Sequence, residues 1–181
     1  MDHFCEHVVV KRHRTVDEIA WYLSWVIIVV AALIGMMYLS HAINMIAAGQ
    51  FDLITLLFAL INVGAAVALY FFHDRLRTEY EYTFTNGSLD FAQVFNNAKR
   101  KNLGSLNVRT VEAFGPVSGS SFQRYISMPG IQQSRWFLNR DGNLYYFYFQ
   151  KDSAKKIIIF EPNEELLGMV KTYVPRSVQQ E

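Results

Sequence analysis

The sequence predicts a hairpin of two transmembrane helices followed by a β-rich domain that ends in an α-helix. Two observations predict the hairpin: residues 19–51 and residues 53–72 contain no Asp, Glu, Lys or Arg, and both stretches are largely apolar. A third observation predicts the domain, because from residue 78 onward short runs of alternating apolar and polar residues are separated by turn dipeptides. The chain therefore divides into an apolar first part and a charged second part.

The composition limits the classes of function. The formal net charge of the 181 residues is +1, which gives no argument for a nucleic-acid partner. Cys5 is the only cysteine, so the chain cannot form an intrachain disulfide. Residues 1–18 precede the first span and are predicted to form a cytoplasmic N-terminal segment.

Two spans are predicted, over residues 19–40 and residues 53–73. At a rise of ~1.5 Å per residue, each can cross a hydrocarbon core of ~30 Å. Trp21, Trp25 and Tyr38 lie near the ends of the first span, where amphipathic rings favour the headgroup boundary. A buried hairpin of a soluble protein would keep a polar stripe, and neither span has one. A cleaved signal peptide would be shorter and would not be followed at once by a second span.

Lysine and arginine residues set the predicted orientation, because positive residues are retained on the cytoplasmic side. They flank the spans at Lys11, Arg12, Arg14, Arg75 and Arg77. The connection, residues 41–52, has none and is predicted to be an external loop. We therefore expect a multi-pass protein of the plasma membrane with both termini in the cytoplasm.

Small residues predict how the two helices pack. Ala31 and Gly35 share one face of the first helix, and Gly64 and Ala68 share one face of the second, so that backbones can approach closely. The same faces could instead mediate self-association into a homo-oligomer, which transport through two helices would require. Asn62 is the one strongly polar side chain well inside a span, and we expect it to form a hydrogen bond between helices.

Six strand-like runs follow the spans: residues 79–85, 89–95, 103–114, 135–138, 144–150 and 156–161. The Asn86-Gly87 dipeptide between the first two runs is the strongest short signal of a β-hairpin. Residues 96–102 are predicted to form a polar turn, and residues 118–130 an irregular loop. The predicted domain covers residues 78–181.

A helix is predicted at the end of the domain. Asn163 is a favourable N-cap residue, and Glu164 and Glu165 in the first turn interact favourably with the helix dipole. Pro175 ends the helix. One apolar stripe lies between these signals, at Leu166, Leu167, Val170, Tyr173 and Val174. Six or seven antiparallel strands closed by one such helix are the outline of a pleckstrin-homology-like (PH-like) barrel.

Several sequence segments carry a resemblance that covers nearly the whole chain. After the helical hairpin come EYEYTFTNGSLDF, then KRKNLGSLNVRTVEAFGP, and finally FEPNEELLGMVKTYVPR. The most specific parts are Thr85-Asn86-Gly87 and the helix entry over residues 160–164. The chain resembles an uncharacterised family of small two-helix membrane proteins of Gram-positive anaerobes and, more loosely, bacterial PH-like membrane proteins. The resemblance implies a fold but no activity.

One basic cluster, Lys99, Arg100 and Lys101, lies on the predicted turn of a domain tethered directly to the membrane. Each Lys or Arg near an anionic leaflet gains ~1 kcal/mol, so the cluster is a candidate contact with the membrane surface or with a partner. The alternative is a solvated turn. Phosphoinositide-binding domains place basic residues around a long first loop, whereas the tight Asn86-Gly87 turn has none nearby. We therefore expect no stereospecific recognition of inositol lipids.

No pattern in the sequence predicts an active site. There is no Gly-rich phosphate loop, no G-x-S-x-G and no H-E-x-x-H. His3 and His7 flank Cys5, but a metal site needs further ligands, so we expect no metal and no cofactor. The aromatic run over residues 145–149 is predicted to be mainly core, since alternate side chains point inward, and its outward members could form an interaction surface. We assign no catalytic residue.

The function expected from these observations is that of a non-enzymatic interaction module. A membrane-anchored PH-like domain would bind a protein partner or the anionic leaflet of the lipid bilayer. The alternative is an accessory or regulatory subunit of a larger membrane assembly of the transport type, in which the helices carry the contacts.

Overall fold

The computed structural model describes residues 3–180, which form two compact units. One unit, residues 13–78, contains both long helices. The other combines the described residues up to Arg12 with those from Glu79 onward. The helical unit is therefore an insertion in the sequence of the β-rich unit.

The helical unit consists of α1, Thr15–Ala47, and α2, Leu53–Phe72, followed by a short 3-10 turn over His73–Arg77. Both helices are long and apolar enough to cross a membrane. The Asp52 carboxylate caps α2 by accepting a hydrogen bond of 3.0 Å from the backbone N–H of Ile54. The predicted helical hairpin is confirmed.

The connection between the helices is shorter than the predicted external loop over residues 41–52. Helix α1 continues through residues 41–47, so that part of the prediction is wrong. The physical reason is the absence of a helix breaker before Gly49, whose φ of 76° ends the helix in the left-handed region.

The first sheet has the strand order β1-β2-β3-β4. Its strands are β1 Phe4–Val9, β2 Thr78–Thr85, β3 Ser88–Phe95 and β4 Lys99–Asn107. Strand β1 pairs antiparallel with β2, with Val9 opposite Tyr80, and it buries Cys5 and Val9. Within the N-terminal segment predicted over residues 1–18, β1 therefore belongs to the sheet and α1 already begins at Thr15, neither of which the sequence predicts. The cytoplasmic location of this segment stays a prediction.

Two turns in this sheet use left-handed backbone conformations. Asn86 and Gly87 have φ values of 50° and 99° and join β2 to β3, so the predicted hairpin is confirmed. Asn96 and Asn97, with φ values of 48° and 52°, make the next turn. Strand β4 begins at Lys99, so the turn predicted over residues 96–102 is too long.

The second sheet has the strand order β5-β7-β8-β6. Its strands are β5 Ala113–Pro116, β6 Gln132–Trp136, β7 Tyr145–Lys151 and β8 Ala154–Phe160. Strand β6 runs parallel to β8, whereas β5 and β8 run antiparallel to β7. The expectation of antiparallel strands throughout is therefore wrong for β6, because the long segment before it crosses to the far edge of the sheet.

That crossing segment contains helix α3, Ser120–Ile126, where the sequence predicts an irregular loop over residues 118–130. Phe122 is buried and packs on Tyr146, with 5.3 Å between the ring centroids, and Tyr125 packs on Tyr148 at 4.7 Å. These ring contacts stabilise a helix that has weak local signals. Phe122 and Tyr125 also cover Tyr146 and Tyr148, the outward-facing members of the aromatic run in β7. Both faces of β7 are therefore buried in the core.

Helix α4, Glu164–Tyr173, closes the β-rich unit. Asn163 caps it by accepting a hydrogen bond of 2.9 Å from the backbone N–H of Leu166. Leu166, Val170 and Val174 are buried in a core shared with both sheets, which includes Phe84, Phe91, Phe147 and Phe160. The predicted β-rich domain with a C-terminal helix is confirmed.

Candidate functional site

The basic cluster lies on an edge strand and not on a turn. Lys99, Arg100 and Lys101 are the first residues of β4, and all three are exposed. The Arg100 guanidinium forms an ion pair with the Glu81 carboxylate on β2, with 3.0 Å between Nη2 and Oε2. Basic residues on an edge strand also discourage pairing with a second sheet, which gives the cluster a structural role.

The outer face of the first sheet carries a mixture of apolar and polar side chains. Phe4 and Val8 on β1 are 57% and 41% exposed, and they lie opposite Thr85 and Glu81 in the register. A cavity of about 510 Å³ lies on the same face. Its lining includes Thr83, Asp90, Phe91, Ala92, Arg100 and Asn102. Neither core cluster of the described residues includes Phe4 or Val8. We call this surface the outer face of sheet 1.

The helix-packing residues fall into two groups. Gly35 is buried, and a Cβ atom there would lie 2.7 Å from Val63 Cγ2, so its lack of a side chain permits the close approach of α1 and α2. Ala31 is half-buried on the same face of α1. Gly64 and Ala68 are exposed, and a Cβ atom at Gly64 would meet nothing within 4 Å.

The buried small residues of α2 are instead Thr55, Ala59 and Ala66, so the expected Gly64 and Ala68 contact between the helices is wrong. Asn62 donates a hydrogen bond of 2.9 Å from Nδ2 to the Phe58 carbonyl of its own helix. It does not form the interhelical hydrogen bond that the sequence predicts.

A polar and aromatic cluster occupies the end of the helical unit where α1 begins and α2 ends. His73 is buried, with its ring centroid 4.8 Å from that of Trp25. Its Nδ1 lies 2.7 Å from the Tyr70 carbonyl oxygen, and its Nε2 lies 3.3 Å from the Asp74 carboxylate. Both ring nitrogens thus face oxygen atoms.

A buried carboxylate in the β-rich unit joins three distant segments. Glu161 accepts hydrogen bonds from the Asn139 side chain at 2.9 Å and from the Asn139 backbone N–H at 3.1 Å. Asn139 in turn donates to the Val10 carbonyl at 3.0 Å and accepts from the Arg12 backbone N–H at 2.8 Å. A Cβ atom at Gly142 would lie 2.8 Å from Glu161 Oε1, so only glycine leaves room for the carboxylate. We call Glu161, Asn139 and Gly142 the carboxylate node.

Tyr82 lies beside this node in the core. Its hydroxyl donates to the Trp136 carbonyl and accepts from the Glu161 backbone N–H at 3.3 Å. Burial raises the pKa of Tyr82 far above its ordinary value. The tyrosine therefore stays neutral and connects β2 to β6 and the end of β8. No local sequence signal predicts the node or this hydrogen bond.

His3, which precedes β1, and His7 within β1 each contact an aromatic ring. The His3 ring centroid is 5.6 Å from that of Tyr173, and the His7 centroid is 5.9 Å from that of Tyr82. Burial lowers the pKa of His7, an effect partly offset by the nearby Glu161. Within residues 3–180 no group of three or more His, Cys, Asp and Glu side chains could hold a metal ion.

One comparison with known proteins gives a match. A family model described as "Bacterial PH-like domain (DUF6106)" matches residues 1–180. The match begins ahead of the helical hairpin, in agreement with the place of β1 in the first sheet, and it confirms the looser of the two resemblances. No curated protein and no solved structure matches the chain.

Proposed function

Because the chain belongs to the DUF6106 family of bacterial PH-like domains, we propose that it is a membrane-anchored interaction module. Helices α1 and α2 hold the PH-like unit at the plasma membrane, and the unit binds a protein partner. The proposal assigns no catalytic residue and no cofactor.

One observation carries the membrane part of the proposal. The large apolar side chains of both helices face outward, and they include Leu33, Met36, Met37, Ile54, Leu60, Ile61 and Val67, each at least half exposed. Exposed apolar surface of this extent is costly in water and favourable in a bilayer. A soluble core helix would bury these side chains.

The pairing of β1 with β2 supports a topology with both flanks on one side of the membrane. The two strands are neighbours in one sheet, and the helical unit lies between them in sequence. A chain that crosses the bilayer twice returns to the side where it started. The pairing of β1 with β2 is therefore compatible with two membrane spans. Basic residues before α1 and after α2 favour the cytoplasm for that side.

The outer face of sheet 1 is the surface that best fits a protein partner. It combines exposed Phe4 and Val8 with polar groups at Thr83 and Asp90, a mixture typical of protein interfaces. Contact with the anionic leaflet has weaker support, because the charge of Arg100 is compensated by Glu81.

A second candidate function is that of an accessory subunit in a larger membrane assembly. The observation in its favour is the exposed small-residue face of α2, where Gly64 and Ala68 leave room for a further helix. In that case the helices, and not the PH-like unit, would carry the main contacts.

Affinity capture of the tagged full chain in mild detergent tests these proposals together. We expect a soluble partner in stoichiometric amount with the wild type and with G64L, and its loss with the double variant F4E/V8E. Loss of a membrane partner with G64L alone would instead establish the accessory subunit. Retention of every partner by both variants would contradict both proposals.

The membrane topology has its own test in intact cells. We expect a cysteine introduced at Gln50 in a C5S background to react with an impermeant maleimide from outside. A cysteine at Ser177 should react only after lysis. Labelling of the Ser177 position from outside would contradict the proposed orientation.

A further inference from the structure

Two adjoining cavities lie on the β-rich unit, away from the outer face of sheet 1. One has a volume of about 550 Å³ and the other of about 360 Å³, both in the range of small-molecule sites. Pro116 and Tyr145, which pair across β5 and β7, line both cavities. The two cavities therefore adjoin at these residues, and together we call them the groove.

Cationic side chains line both cavities of this groove, and none of them forms an ion pair with another described residue. The Lys171 ammonium lies 5.8 Å from the centroid of the Tyr145 ring. Lys171 and Arg176 line the larger cavity, and Arg140 lines the smaller one. No acidic side chain is among the described lining residues. Asp141, which follows Arg140 in the chain, forms its ion pair with Arg12 at 3.0 Å. The groove is thus lined by three cations and by no described carboxylate, and the buried Glu161 carboxylate lies behind Gly142 of the smaller cavity.

Gln179 and Gln180, which also line the larger cavity, are held by hydrogen bonds within the chain. The Gln179 side-chain amide donates to the carbonyls of Lys171 and Val174, each at 3.0 Å. The Gln180 backbone N–H donates to the Phe114 carbonyl at 2.7 Å, which fixes the tail against β5. These hydrogen bonds hold the wall of the cavity in place, and the Lys171 and Arg176 side chains are available to bind a ligand.

From this arrangement we propose that the groove binds a small organic molecule with two separated phosphate groups. Lys171 and Arg176 together match one phosphate dianion, and Arg140 meets the second phosphate on the far side of Pro116 and Tyr145. The carbon body lies against Pro116 and the edge of the half-buried Tyr145 ring, whose face stacks on Phe114. The site lies wholly in the PH-like unit and does not depend on the proposed protein partner.

Calorimetry with the purified full chain in detergent tests the site, using fructose 1,6-bisphosphate and inorganic pyrophosphate as probes. We expect both probes to bind and K171Q/R176Q to lower both affinities by about tenfold or more. R140Q should weaken binding of the bisphosphate and leave pyrophosphate unchanged, because only the longer probe reaches the smaller cavity.

The matched control is R135Q/K151Q, which removes the same charges elsewhere. Arg135 is on β6 at the opposite edge of the second sheet, and Lys151 is at the other end of β7 from Tyr145. We expect this variant to bind both probes like the wild type. Equal losses in the two double variants would show only a general charge effect and would overturn the proposal.

Amine labelling gives a readout that does not depend on substitutions. We expect fructose 1,6-bisphosphate to slow acetylation of Lys171 but not of Lys151, measured by mass spectrometry. No protection of Lys171, or stronger protection by a glutamate-rich peptide than by the bisphosphate, would overturn the assignment of the ligand.

Discussion

Glu161 is the residue that connects the N-terminal strand to the rest of the PH-like unit. Its carboxylate binds Asn139, which binds the backbone of Val10 and Arg12 just beyond β1. Buried hydrogen bonds to a charged group contribute more than neutral ones and are costly to leave incomplete. The carboxylate node therefore fixes the point at which the chain leaves the domain toward α1.

Replacing Glu161 should destabilise the attachment of β1 to the PH-like unit. In E161A the Asn139 backbone and side chain lose their acceptor, and we expect the opening free energy of β1 to fall by about 2–3 kcal/mol. Hydrogen exchange of peptides covering residues 4–12 measures the change. The exposed Glu112 provides the control E112A, which should exchange like the wild type. Unchanged protection in E161A would mean that the node contributes nothing to β1.

His7 should make the stability of the PH-like unit depend on pH. Burial lowers its folded pKa below the ordinary value of 6.5, so the unfolded chain takes up a proton that the folded chain excludes. The stability contribution is complete above pH 6.5 and is lost as the pH falls toward the folded pKa. We expect the thermal midpoint to fall between pH 7.5 and pH 5.5, and H7N to show a smaller fall. The same pH dependence in H7N as in the wild type would exclude this role.

At the scale of elements, the pairing of α1 with α2 depends on one glycine. A Cβ atom at Gly35 would lie 2.7 Å from Val63, whereas Gly64 has open space around it. The two glycines are therefore not equivalent, although the sequence places both in similar small-residue motifs. This difference also makes G64L a usable probe of outside partners, because it leaves the hairpin intact.

The predicted consequence is a separation of the helices in G35L but not in G64L. The rings of Tyr38 and Phe58 stack with 5.7 Å between their centroids, so cysteines at these positions in a C5S background should react with a short thiol crosslinker. We expect the crosslink in the wild type and in G64L, and a loss of most of it in G35L. Efficient crosslinking in G35L would show that the helices tolerate the larger side chain.

The elements also show what the sequence can predict. The two long helices, the Asn86-Gly87 hairpin and α4 have strong local signals and all occur, although α1 extends beyond the predicted residues 19–40 at both ends. Strand β1 was missed because its partner is distant: His3 binds Asn86, 83 positions further along the chain. No local sequence pattern distinguishes such a strand from an extended terminal segment. The carboxylate node was missed for the same reason, since its residues meet only in the folded unit.

At the scale of the whole molecule, the PH-like unit has two separate pieces in sequence. Residues 79–180 without β1 would leave the β2 edge open beside buried Tyr82 and Phe84. An unpaired edge next to a hydrophobic core favours aggregation. A fragment that begins after the helices is therefore incomplete.

Rejoining the two pieces should restore a soluble domain. We expect residues 3–12, joined to residues 79–180 by a short Gly-Ser linker, to be folded and monomeric, because Val9 already lies opposite Tyr80. Residues 79–180 alone should aggregate. Size-exclusion chromatography and circular dichroism distinguish the two fragments. Equal solubility and equal strand content of both fragments would mean that β1 is dispensable.

The split of the PH-like unit also sets an order of events during synthesis. Strand β1 leaves the ribosome first but cannot pair until α1, α2 and β2 have been made, so the first sheet closes late through contacts of high sequence separation. Where the helices enter a bilayer, a chain with only one helix inserted would leave β1 and β2 on opposite sides of the membrane. The remaining strands would lack the edge strand β1 and would expose apolar surface. In a bilayer, completion of the sheet would therefore require that both helices had been inserted.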